Sequence, residues 1–252
     1  MDYAREVFLW SPKAKKIENL LDWAINPFPN GLTTNVKRTE DCSVGMLRKQ
    51  AQKAEKEWGN AIINQTNNGN WTTNLGENLV FEVLKLLGKN PRRPPERGGY
   101  RPDWECDDEI VEVKTRNWTT TGTAGEKVPG VIYKYSDIPD IYGKKLLVVC
   151  VAYQEYEYTH GTTKLWGNIS EKKQAHLDLA RKHGIEFIRF SELIKPLILL
   201  GEPGFGPLDS SERREFLRQY SVKDNSPVPS DAELKDAAPP NGESGSAAPI
   251  PG

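Results

Sequence analysis

The stretch RPDWECDDEIVEVKTR, which runs from Arg101 to Arg116, holds residue types that could carry out a hydrolysis. Asp103 follows a proline, and after eight intervening residues Glu112 and Lys114 flank a single valine. Two carboxylates can bind a hard divalent cation such as Mg²⁺, for which Mn²⁺ can substitute. The cation would polarise a phosphodiester and acidify a water, while the lysine would position that water and offset negative charge. The competing interpretation is a charged β-hairpin whose polar side faces water.

The local pattern predicts that these charged side chains meet. Residues 100–106 and 109–116 are typical of two β-strands joined by a tight turn. Because side chains two apart on a strand share a face, Glu112 and Lys114 are expected on one side and the intervening valine in the core. An antiparallel pairing of the two strands would then bring Asp103 within reach of Glu112.

The surrounding sequence predicts an α/β fold with a mixed central sheet. Beyond the hairpin, the predicted elements are a helix over 74–91, a buried strand over 145–153, a capped helix over 170–184, a strand over 185–190 and a short helix after it. We divide the chain into a helical N-terminal region (1–70) for recognition or dimerisation, an α/β core (71–220) and a disordered tail (221–252) rich in Pro, Gly, Ser and Ala.

Composition limits the possible environments and partners. The net formal charge is −1, so binding of nucleic acid would have to rest on a local basic surface. The three cysteines show no CxxC spacing, which indicates reduced thiols. We find neither a signal sequence nor a long apolar span, and therefore expect an intracellular, cytoplasmic protein, or one associated with the nucleoid or nucleus, without membrane contact. The sequence has no Walker-type glycine loop, so no nucleotide cofactor is expected.

The residues of the hairpin carry a family resemblance. Pro102-Asp103, eight further residues and then Glu112-Val113-Lys114 resemble the signature of the PD-(D/E)xK nuclease superfamily, which includes most type II restriction endonucleases and the archaeal Holliday-junction resolvases. Over about residues 74–190 the predicted order of elements also resembles that family's core: a helix carrying a Glu, the signature hairpin, a third strand, a helix and a fourth strand.

The resemblance implies a restriction-endonuclease-like αβββαβ core and a metal-dependent deoxyribonuclease. Asp103, Glu112 and Glu77 would bind Mg²⁺, and Lys114 would act on the nucleophilic water. Glu77 matches the acidic residue of the family's first helix, and Glu82 is a competing acidic position on another face of that helix.

Basic and threonine-rich segments beside the signature are candidate contacts to double-stranded DNA. Residues 89–101 form a proline-stiffened basic strip, and residues 117–143 form a long polar segment. The candidate DNA contacts are Arg92, Arg93, Arg97, Arg101, Arg116, Thr119, Thr120, Thr121, Lys127 and Lys134. The alternative interpretations are a solvated loop for the first segment and an Ω-type excursion packed by its own tyrosines for the second.

The expected activity is site-specific double-strand cleavage of the type II restriction kind. Cutting both strands normally needs two active sites, which favours a homodimer. The alternatives are a Holliday-junction resolvase or DNA-repair nuclease, a non-catalytic DNA- or protein-binding module that kept the fold, and a structural domain whose hairpin is charged by chance.

Overall fold

The computed structural model describes residues 20–21, 23–25, 44–64, 66, 69–119 and 128–200. The predictions for Thr120, Thr121, Lys127 and the tail 221–252 lie outside these residues. Within them, no helix combines the length and the apolar character needed to cross a membrane.

The predicted strands and helices form a mixed sheet with helices on both faces. In chain order the elements are α1 (Val44–Ile62), α2 (Trp71–Leu86), β1 (Trp104–Glu105), β2 (Glu109–Arg116), α3 (Val131–Lys134), α4 (Ile138–Tyr142), β3 (Lys145–Ala152), α5 (Tyr153–His160), α6 (Glu171–Lys182), β4 (Ile185–Arg189), α7 (Phe190–Leu193) and α8 (Lys195–Leu200). The strand order is β1-β2-β3-β4. β1 is antiparallel to β2, whereas β2, β3 and β4 run parallel. The predicted α/β class with a mixed central sheet is confirmed.

Both faces of the sheet are covered, as the almost wholly apolar sequence of β3 predicts. On one face, α2 packs on the strands in a core that includes Leu75, Leu79, Val111, Val113, Leu147 and Val149. On the other face, α3, α4 and α6 pack in a second core that includes Ile110, Val131, Ile138, Leu146, Val148 and Ala180. The alternation of Ile110 and Val111 between the two cores places Glu112 and Lys114 on the side of α3 and α4.

Some predicted element ends shift by a few residues, and α2 spans Trp71–Leu86 where 74–91 was expected. Larger differences occur at three places. β1 has only two residues, Trp104–Glu105, where a strand over 100–106 was expected; Pro102 cannot donate to a ladder. The segment 117–143, expected as a long polar segment without helices, contains α3 and α4, and Gly143 with φ 65° caps the end of α4. Helix α5 was not predicted, because it begins directly at the end of β3 and its sequence carries no capping residue or apolar stripe.

Candidate active site

The hairpin of β1 and β2 brings Asp103 and Glu112 together. Trp104 pairs with Val111 and Glu105 with Ile110, and continuation of this register places Asp103 opposite Glu112. The backbone N–H of Val113 donates to Asp103 Oδ2 at 2.7 Å, which fixes the aspartate against the neighbouring strand. Glu112 is only 6% exposed, and Lys114 follows it on the same face of β2.

Helix α2 supplies the third carboxylate from the opposite face of the sheet. A Cβ on Gly76 would lie 1.7 Å from Thr115 Oγ1, so this glycine lets α2 approach β2 closely. The indole N–H of Trp104 donates to the carbonyl of Glu77 at 3.0 Å and ties the helix to β1. Glu77 is therefore the acidic residue of α2 that lies at the signature, whereas Glu82 pairs with Lys85 on its own helix at 3.3 Å.

The three carboxylates act on one another electrostatically. Burial raises the pKa of Asp103 well above its usual range, and the negative charges of Glu112 and Glu77 raise it further. The N–H of Val113 and the ammonium of Lys114 oppose this rise without cancelling it. Simultaneous ionisation of all three carboxylates is therefore unfavourable, and a nearby cation would stabilise the ionised cluster.

Two protein cations already lie at these carboxylates. Lys114 Nζ donates to Glu112 Oε1. Burial is the largest single influence on Lys114 and disfavours the ammonium, but the charge of Glu112, its hydrogen bond and the electrostatic effects of Tyr135 and Asp103 together outweigh burial and raise the pKa of Lys114. Arg93 donates to Glu77 Oε2 at 2.6 Å and to the carbonyl of Asp103 at 3.0 Å. Arg93, predicted as a DNA contact, thus has its guanidinium inside the carboxylate cluster.

Tyr135 lies at the site, although no role at the site was predicted for it. It ends α3, and its ring centroid lies 5.5 Å from Lys114 Nζ. Burial and the charge of Glu112 raise the pKa of Tyr135 to about 12, so the phenol stays protonated and can donate a hydrogen bond. Only the position of Tyr135 in the aromatic-rich segment 117–143 could have drawn attention to it.

The remaining DNA candidates fall into two groups. Exposed side chains are those of Arg92, Arg97, Arg101 and Lys134. Arg116 is buried, with an ion pair to Glu157 at 2.6 Å. The backbone N–H of Thr119 donates to Glu55 at 3.0 Å, and its hydroxyl donates to the same carboxylate. In this conformation Arg116 and Thr119 take part in internal networks, and the candidate DNA contacts that remain accessible belong to residues 92–101 and to α3.

The side chains present include ligands that suit a hard divalent cation. Asp103, Glu112 and Glu77 offer carboxylate oxygens, which Mg²⁺ and Mn²⁺ prefer. In the part of the chain that the structure describes, no group of three or more His, Cys, Asp or Glu side chains is arranged to hold a metal ion. Ion pairs with Arg93 and Lys114 hold Glu77 and Glu112 in their present positions. Use of all three carboxylates would therefore require these pairs to rearrange.

Comparison with known proteins adds no relative. No family model, curated protein sequence or solved structure matches this chain. The function of the chain is therefore inferred from the residues and geometry of the site itself.

Proposed function

We propose that this chain is a Mg²⁺-dependent endonuclease of the PD-(D/E)xK superfamily that hydrolyses phosphodiester bonds of double-stranded DNA. The observation that carries the proposal is the convergence of Asp103, Glu112 and Glu77 at the hairpin, with Lys114 hydrogen-bonded to Glu112 and Arg93 lying against both Glu77 and Asp103. A charged hairpin with a merely solvated polar side would not bury Glu112 or bring an acidic residue of another element to Asp103.

Asp103, Glu112 and Glu77 would hold the cation, and Mn²⁺ would be able to replace Mg²⁺. The cation would polarise the phosphodiester and lower the pKa of a bound water. Lys114 is charged at neutral pH because its pKa is raised, so it would act as a hydrogen-bond donor and a counter-charge rather than as a base. The phenol of Tyr135 lies close enough to help orient Glu112 and Lys114.

Within this class, a homodimeric restriction-type enzyme with an αβββαβ core is our preferred form. α2 before the hairpin, and β3, α6 and β4 after it, follow the order that the resemblance implies. The exposed arginines of residues 92–101 offer positive charge beside the carboxylates, where a DNA backbone could lie. Two copies of the site would be needed to cut both strands.

The decisive experiment is cleavage of supercoiled plasmid and phage DNA with Mg²⁺, with Mn²⁺ and with chelator. Native protein is expected to cut only with metal, and Lys114→Ala is expected to lose at least a hundredfold in rate, the order of magnitude of one electrostatic catalytic contact. Lys172→Ala, which alters an exposed lysine on α6, is the matched control and should cut normally.

The products distinguish the forms of the proposal. Discrete fragments identify a site-specific enzyme, whereas nicking or smearing with the same dependence on metal and Lys114 keeps the nuclease and removes the restriction type. Cleavage of branched DNA alone identifies a resolvase. Intact DNA on linear, supercoiled and branched substrates contradicts the nuclease and leaves a binding module.

A further inference from the structure

Arg93 is held at the carboxylate cluster by contacts from three directions. Its guanidinium lies 2.6 Å from Glu77 Oε2 and 4.0 Å from Asp103 Oδ1. It also donates to the carbonyl of Asp103 at 3.0 Å and stacks over the ring of Trp104, with 3.9 Å from Cζ to the centroid. Trp104 is itself buried, and its indole N–H donates a hydrogen bond to the carbonyl of Glu77. These contacts hold the guanidinium in one position at the carboxylates, whereas an arginine on a fully solvated surface has no such partners.

This arrangement sets Arg93 in competition with a metal ion. A cation bound through Glu77 and Asp103 would need oxygens that the guanidinium now contacts. The two positive charges would also repel each other at the short distances of a shared carboxylate pair. Binding of metal therefore requires the guanidinium to leave or to give up part of its contact with Glu77.

The side chain of Arg93 can move away from the carboxylates into solvent. Its side chain is 48% exposed, so rotation toward solvent needs no repacking of the core. The preceding residue is anchored, because the backbone of Arg92 exchanges hydrogen bonds with Glu105 at 2.8 and 2.9 Å. The side chain of Arg93 can therefore rotate while the backbone of the basic strip, residues 89–101, stays in place. A guanidinium binds a phosphate through two parallel hydrogen bonds, which makes a DNA backbone a suitable alternative partner.

We propose that Arg93 is a positioning residue that couples metal binding to DNA binding. Without DNA it neutralises Glu77 and Asp103 and weakens the site for metal; a DNA phosphate draws the guanidinium away and frees the carboxylates. This role rests on the proposed nuclease function. Because binding equilibria are reciprocal, metal and DNA each strengthen the binding of the other through the same arginine.

The test compares Arg93→Gln with Arg92→Gln in titrations without cleavage. Arg92 is the matched control, because it is 53% exposed and pairs with Glu105 and Asp107 rather than with the site. Calorimetric titration of Mn²⁺ into DNA-free protein should give about fivefold to tenfold tighter binding for Arg93→Gln than for native protein. Arg92→Gln should leave the Mn²⁺ affinity unchanged. Arg93→Lys keeps the charge and should bind Mn²⁺ much as native protein does.

The second half of the test measures binding of a 30-base-pair duplex by fluorescence anisotropy, in chelator and in Ca²⁺. Native protein should bind the duplex more tightly in Ca²⁺, and Arg93→Gln should lose most of this gain. An Arg93→Gln protein that folds like native protein and binds Mn²⁺ equally or more weakly overturns the coupling, while the nuclease proposal stands. Absence of Mn²⁺ binding at millimolar concentration in all variants overturns both proposals.

Discussion

Asp103 illustrates how a site residue can lower the stability of its own fold. Its carboxylate accepts a backbone hydrogen bond at 2.7 Å, yet burial and two neighbouring carboxylates raise its pKa above the usual 3.8. A group with a raised pKa contributes stability that is complete below its unfolded pKa and is lost as pH rises through the folded pKa. As pH rises toward neutral, Asp103 therefore costs stability, whether it ionises or stays protonated in the fold, unless a cation is added.

This cost predicts opposite effects of Asp103→Asn on stability and on metal binding. In chelator at pH 7 the variant should be more stable than native protein, because the amide stays neutral and can still accept from Val113. With Mn²⁺ added, the melting temperature of native protein should rise well above its value in chelator, and that of Asp103→Asn should rise little. The gain of the native protein should shrink as pH falls below the raised pKa, since protons then compete with metal.

Thermal melting with and without Mn²⁺, at pH 5 and pH 7, measures both effects. Asp140→Asn, on the exposed side of α4, is the matched control and should change neither value. A less stable Asp103→Asn at pH 7 in chelator would show that the aspartate stabilises the hairpin and would contradict the electrostatic account.

At the scale of elements, the sequence predicted features that depend on local patterns and missed contacts that depend on how the elements pack. The turn before β2, the Ser170 cap of α6 and the shared face of Glu112 and Lys114 follow from turn, cap and alternation patterns. The bond from Arg93 to Glu77 joins residues 16 positions apart through the packing of α2, so no local pattern indicates it. The position of Tyr135 depends in the same way on how α3 folds back over the sheet.

The packing of α2 on β2 gives a prediction for Gly76→Ala. The added Cβ would lie 1.7 Å from Thr115 Oγ1, so the helix or the strand must shift and Glu77 must move with α2. We expect a loss of about 1 to 3 kcal/mol in the free energy of unfolding and weaker Mn²⁺ binding. Urea unfolding and Mn²⁺ titration measure the two quantities.

Gly69→Ala is the matched control for this prediction, because nothing lies within 4 Å of a Cβ at that position. It should behave like native protein in both measurements. If Gly76→Ala also keeps native stability and native Mn²⁺ affinity, then close approach of α2 is not what positions Glu77.

At the scale of the whole molecule, Glu55 of α1 joins the N-terminal region to the sheet. This fully buried carboxylate accepts hydrogen bonds from Trp23 Nε1, from the backbone N–H groups of Trp118 and Thr119, and from the side chains of Asn117 and Thr119. The donors of residues 117–119 directly follow β2, the strand that carries Glu112 and Lys114. The N-terminal region therefore helps to hold the strand of the candidate site.

This connection predicts that Glu55→Ala destabilises the entire fold in a single transition. The substitution leaves the indole N–H of Trp23 and the N–H of Trp118 without their acceptor, which should cost about 3 kcal/mol or more. Glu57→Ala, on the same helix, removes a carboxylate that is 66% exposed and pairs with Lys53 at 3.7 Å, and should cost less than about 0.5 kcal/mol. Urea unfolding followed by tryptophan fluorescence and by circular dichroism should show coincident shifts for Glu55→Ala. Two separate transitions, with that of the sheet unchanged, would instead show that the N-terminal region folds independently and does not support the strand that carries Glu112 and Lys114.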